Sequence, residues 1–188
     1  MTIEEAQKNM RHAYAGGAAG LAASSLVWLV AGSVSVLHSA NAGVLALFFG
    51  GMLIHPLSMV ASKALGRPGA HAKDNPLSRL AIESTVILLL GVVLAFLLSR
   101  FRVELFFPSM LIVIGGRYLT FQTLYGRRIY WLCGILLAFL GVTAAMLNFP
   151  VAASVFGGAL IEAAFAFVVF AQTRREYKMP NAERSASP

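Results

Sequence analysis

The stretch VIGGRYLTFQTLYGRR, Val113–Arg128, holds both the rule and the exception of this chain. It is the second half of a mostly apolar run from Leu105 to Tyr125, which Arg127 and Arg128 bring to an end. A run of about 20 residues is what a helix needs to cross roughly 30 Å of hydrocarbon. The two terminal arginines mark where the chain meets water again. Arg117, directly after Gly115-Gly116, is the exception: it places a permanent positive charge inside the run.

Working outward, the same pattern recurs along the chain. Of 188 residues, 58% are hydrophobic and 12% charged, and the mean hydropathy is +0.74. Soluble domains carry about 25% charged residues, so the solvent implied for most side chains is lipid. Six segments have the length and composition of spans: Ala13–Leu37, Ala40–Leu65, Leu80–Ser99, Leu105–Tyr125, Ile129–Leu147 and Val151–Thr173. They are too long for strands and lack polar-apolar alternation, so each is expected to be a helix that pairs its own backbone groups. The fold class expected is an all-α polytopic membrane protein with six transmembrane helices. Residues 1–179 form one domain, and the polar segment 180–188 is expected to be a disordered tail.

The net charge of +7 would point to nucleic acid in a soluble protein. Here the basic residues flank apolar runs, which excludes that reading and gives an orientation instead. Lys8 and Arg11 precede the first span. Lys63, Arg67, Lys73 and Arg79 surround the second connection, Arg127 and Arg128 fill the fourth, and Arg174, Arg175, Lys178 and Arg184 follow the last span. These twelve share one side, against Arg100 and Arg102 on the other. Both termini are therefore expected in the cytoplasm, which an even number of spans also requires. The first apolar stretch is near 25 residues, beyond the roughly 7–15 of a signal-peptide core, so cleavage at Ala40-Asn41-Ala42 is not expected. Asn75-Pro76 reads as the start of the third helix, with Pro108 and Pro150 in first turns. The basic loop 66–76 reads as a solvated anchor or a contact for anionic head groups.

Three same-direction helices carry Gly-Gly near mid-depth: FGGMLIHP at Phe49–Pro56, IGGRYLTF at Ile114–Phe121 and FGGALIEA at Phe156–Ala163. Three pseudo-repeated helical hairpins would explain them, as would the abundance of glycine in membrane helices. Gly16-x-x-x-Gly20 and Ala19-x-x-x-Ala23 give the first helix a close-packing face, either inside the bundle or at a seam between two copies.

Four ionisable groups lie within the spans: His55, Glu83, Arg117 and Glu162. Arg117 is about 15 Å inward of Arg127, and Glu162 is near mid-depth. A lone charge there costs at least roughly 2.5–3.5 kcal/mol, so Arg117 is expected to pair with Glu162, with Glu83 as competitor. Thr120 stands at the position equivalent to His55 and Glu162 in the repeat. His55 precedes Pro56, which frees the Met52 carbonyl and makes either a packed kink or a binding site. The candidate site is thus Arg117, Glu162, His55, Glu83 and Thr120, read either as a structural clamp or as a polar pathway.

Catalytic signatures are absent: no H-E-x-x-H, G-x-S-x-G, Walker loop or C-x-x-C. His55, Glu83 and Glu162 lack any local metal-ligand spacing, so no metal or cofactor is expected. The lone Cys133 excludes an internal disulfide and reads as a packing residue.

The stretches KDNPLSRLAIEST, Lys73–Thr85, and GGRYLTFQTLYGRRIYW, Gly115–Trp131, resemble a bacterial family of small multi-pass membrane proteins with no assigned function. The resemblance runs through most of the chain. It implies an inner-membrane location and supplies neither an activity nor a ligand. Two functions stay open: a transporter or channel-like protein for a small anionic solute, or a structural or interaction protein whose polar cluster fixes helix packing. The partners expected are the lipid bilayer, a small solute, and a second copy through the small-residue faces.

Overall fold

The computed structural model describes the backbone of residues 1–185 and the side chains of residues 1–176, and its elements are helices. They are α1 (Ile3–Ala13), α2 (Ala18–Leu37), α3 (Ala40–Ala64), α4 (Leu77–Ser99), α5 (Phe106–Tyr125), α6 (Ile129–Met146) and α7 (Val151–Ser185). Short 3-10 turns at Ala15–Gly17 and Val103–Leu105 lead into α2 and α5. Six of these segments are long and apolar enough to cross a membrane, and they coincide with the six expected spans. The polar segment 180–188 falls at the end of α7, and its residues 186–188 lie outside the described residues.

α1 was not expected, although its start is written in the sequence. Thr2 and Glu5 form a capping box: the Thr2 hydroxyl accepts from the Glu5 amide at 3.2 Å, and the Glu5 carboxylate accepts from the Thr2 amide at 2.7 Å. Those bonds hold the Glu5 carboxyl below the usual carboxylate range. α1 buries Ala6, Met10 and Ala13 and lies across the end of the bundle that carries the N-terminus. Gln7 donates to the Thr123 carbonyl at 2.9 Å and Arg11 to the Tyr125 carbonyl at 2.6 Å. These side chains supply partners for carbonyls left open at the end of α5. The 66–76 loop folds onto the same helix. Asn75 is buried, its amide donates to the Ala6 carbonyl and the Asn9 side chain, and its oxygen accepts from the Leu77 amide at the start of α4.

The spans pack side by side in the order α3, α2, α7, α6, α5, α4, a row that closes into a ring only through side chains of α3 and α4. Hydrophobic burial does not hold such helices together, since lipid tails are as apolar as leucine; close packing does. α2 is the most enclosed span, with Trp28 and Ala31 fully buried, so its small-residue face lies inside the bundle. α5 and α6 approach most closely where a Cβ on Gly115 would lie 2.6 Å from the Gly134 carbonyl, and one on Gly141 2.6 Å from the Pro108 carbonyl. α3 and α4 meet through Phe48 and Phe96, whose rings are 5.3 Å apart.

The three glycine pairs do not occupy equivalent places in this ring. Gly50 packs on Val27 of α2, Gly115 on α6, and Gly157 and Gly158 on Leu140 and Leu111. A Cβ on Gly51 or Gly116 would meet nothing within 4 Å, so two of the pairs are half outward.

Candidate functional site

α5 carries two polar residues side by side that point into different worlds. Successive helical side chains are about 100° apart, so Arg117 and Tyr118 cannot share a face. The Tyr118 hydroxyl donates to Glu162 Oε1 at 2.7 Å in the interior, where Glu162 is 0% exposed. Arg117 turns toward α4, where Nη2 donates to the Thr85 hydroxyl at 3.3 Å. Phe121, one turn further on, stands between the two. The guanidinium lies 5.4 Å from its ring centre, while Tyr118 and Tyr130 pack on the same ring at 5.2 and 5.6 Å.

The expected Arg117–Glu162 ion pair is therefore not formed. Depth alone suggested it, but azimuth and an aromatic wall prevent it. Among the described residues, neither group has an ion-pair partner. Glu162 keeps one bonded oxygen and one, Oε2, without a hydrogen-bond partner, and Arg117 Nε is likewise unpartnered. Glu83, the expected competitor, is exposed and forms no ion pair with Arg117. His55 is also exposed; α3 continues as helix through Pro56 beside it. Of the five candidate residues, the structure brings together only Arg117 and Thr120.

Those two line a groove of about 470 Å³ between α4 and α5. Ser84, Ile87, Leu90, Gly91 and Leu94 form one wall, and Ile112, Val113, Gly116, Arg117 and Thr120 the other. Gly91 sets the back of the groove, because a side chain there would collide with Val113. Gly116 leaves its floor open. The hydroxyls are already used as donors: Ser84 and Thr85 bond to the Ala81 carbonyl and Thr120 to that of Arg117, each at 2.8–2.9 Å. The guanidinium is thus the groove's free source of hydrogen-bond donors. Ser84, Thr85 and Gly91 went unnoticed in the sequence. Their signal was helical spacing on α4, legible only once α4 was known to face Arg117.

A second polar cluster, also missed, ties the bundle's end together. Arg127, counted above as a marker of orientation, is 8% exposed. Its guanidinium donates to the Thr173 hydroxyl at 2.9 Å, the Val169 carbonyl at 3.3 Å and the Glu176 carboxylate at 2.7 Å. Nearby, the Tyr130 hydroxyl donates to the Gly16 carbonyl at 2.6 Å. Gly16 and Gly17 have φ of 67° and 91°, and a side chain on Gly16 would strike Thr173 and Arg127. The α5–α6 turn, α7 and the entry to α2 are thereby locked to one another. This cluster is closed and reads as structural.

No group of three or more histidine, cysteine, aspartate or glutamate side chains suited to a metal occurs among the described residues. Residues 3–172 match the model of a family of unknown function, DUF7010, and the chain belongs to that family. No curated protein and no solved structure matches the chain. Family and fold together make it a membrane protein with six apolar helices, in a family of unknown function.

Proposed function

We propose that this member of a family of unknown function is a transporter-like protein of the bacterial inner membrane, with both termini cytoplasmic, that engages an anionic solute at Arg117. One observation carries the reading. Arg117 is charged at any accessible pH, sits about 15 Å from the Arg127 boundary, and has no carboxylate partner among the described residues. A charge at that depth costs several kcal/mol unless something answers it. Here the answer inside the protein is one long hydrogen bond and a ring face, beside an open groove. A purely structural arginine would be tied off as Arg127 is.

The second reading, a structural or interaction protein, is favoured by the other half of the polar set. Tyr118 and Glu162 make a buried hydrogen bond that fixes the register of α5 against α7. The two readings differ in flux. Proteoliposomes charged with a panel of small organic and inorganic anions should release at least one of them faster than protein-free vesicles. An Arg117→Gln variant should release it at the background rate. Release that ignores the substitution, or no protein-dependent release at all, would leave the structural reading standing.

A further inference from the structure

The groove between α4 and α5 has a direction. α4 and α5 are antiparallel, so Ser84 on one wall lies level with Arg117 and Thr120 on the other, at the end nearer the termini. Toward the opposite end the walls are Leu90, Leu94, Ile112 and Val113. Polar groups thus gather at one end and hydrocarbon lines the rest. A small anion would use only the polar end of such a lining and leave the apolar length unfilled. The lining fits a molecule with a charged head and an apolar chain.

Access comes from the side. Ile87, Leu90 and Leu94 are 62%, 66% and 55% exposed, so that wall belongs to the surface that faces the hydrocarbon. Ser84 to Leu94 covers ten residues of helix, about 15 Å, which is the length of an extended chain rather than of a compact solute. The volume of about 470 Å³ lies within the roughly 300–1,000 Å³ of sites for single small ligands.

Charge narrows the head group. With the three hydroxyls donating to their own helices, the anion's donors come from one guanidinium, whose Nη1 and Nη2 form a fork for a carboxylate or phosphate once Nη2 leaves its long bond to Thr85. Glycerophospholipid phosphates sit at the interface, and reaching Arg117 would draw a backbone and two chains below it. A single-chain acid has a smaller head and one chain, so less polar structure follows it below the interface.

We propose that this groove binds a single-chain carboxylate amphiphile of the fatty-acid class drawn from the bilayer, head at Arg117 and chain toward Leu94. The proposal rests on the reading of Arg117 as an anion site and names the class of anion. It makes the groove a lateral entry for a membrane-dissolved acid, in place of a channel for a dissolved ion.

The test is binding of radiolabelled laurate to the full chain in phosphatidylcholine nanodiscs, with dodecanol, acetate and inorganic phosphate as competitors. Two variants separate head from chain. Arg117→Gln removes the charge. Gly116→Leu fills the floor, where a new side chain begins in open space, and leaves Arg117 in place. Wild type should bind laurate saturably, and each variant should weaken it by about tenfold or more, the loss of one charge-assisted bond or of the chain's contact surface. Arg117→Lys, which keeps the charge but loses the fork, should fall between. Should Arg117→Gln fail to fold, Gly116→Leu and the competitors still decide. Acetate or phosphate binding through Arg117 with no laurate binding would overturn the amphiphile and keep the anion site. Dodecanol competing as well as laurate, with Arg117→Gln unaffected, would overturn both, and so would no binding of any probe.

Discussion

Arg127→Ala tests most sharply how the end of the bundle is held. The substitution removes three hydrogen bonds, to Thr173, the Val169 carbonyl and Glu176. A bond from a charged donor contributes about 1.5–3 kcal/mol net when buried. The Glu176 bond is discounted, because that carboxylate is 51% exposed and returns to water when its partner leaves; an exposed pair is worth about 0.2–1 kcal/mol. Thr173 keeps its own bond to the Val169 carbonyl at 2.8 Å, so it is not stranded. The Thr173 and Val169 bonds both come from Nη1 and count as one shared donor, so the expected total is about 2–4 kcal/mol. Glu176→Ala should cost only about 1 kcal/mol, since water replaces the carboxylate at Nη2. The assay is equilibrium unfolding by SDS in mixed micelles, with the double variant closing the cycle and a coupling of about 0.2–1 kcal/mol expected. Arg128 stays in the turn, so insertion should be unaffected. Equal losses for the two single variants would mean that Arg127 is sealed from water and that its charge is stranded when Glu176 goes. A neutral Arg127→Ala would refute the lock altogether.

Other outcomes follow from the same reasoning. Tyr118→Phe leaves buried Glu162 without its bonded partner and should cost about 1–3 kcal/mol in that assay, whereas Glu162→Gln keeps an acceptor and should cost less. Gly16→Ala forces a side chain into a left-handed conformation against Thr173, about 1–2 kcal/mol for the backbone alone, while Gly51→Ala, with nothing within 4 Å, should be tolerated. Reporter fusions after Thr173 and near Arg127 should report cytoplasm and one at His38 the far side; a C-terminus on the far side would refute the proposed orientation. For α1, Glu5 titrates below its ordinary value, so its capping contribution is present above the unfolded value and is lost as pH falls through the folded one. Hydrogen exchange of the α1 amides should accelerate over that acidic window and stay flat in a Glu5→Gln variant.

The solvent, the number of membrane spans and the approximate ends of those spans were legible in the sequence alone. Those properties follow from one-dimensional quantities: the length of an apolar run, and the prolines, glycines and charges that interrupt it. The six spans lie where Leu105–Tyr125 and its fellows placed them, because a backbone in lipid has no alternative to the helix. The capping box at Thr2 and Glu5 was equally legible, though α1 lies in a polar segment that a search for spans passes over. What the tertiary structure decided is which side chains meet. Depth along a helix can be counted from the sequence, but azimuth around it acts only through the neighbour that each face receives. Arg117 and Glu162 share a depth, yet the 100° step from Arg117 to Tyr118 sends the interior bond to the tyrosine and turns the arginine toward α4. Arg127 shows the converse. As one of twelve basic residues it carried only orientation, and the close approach of α7 at Val169 and Thr173 made it a buried lock. The order that places α7 beside α2 rests on contacts between helices distant in sequence, such as Gly158 on Trp28 and Gly32 on Val155. No local pattern encodes those partners, because in lipid every apolar face is equally content until a closer-packed one is offered.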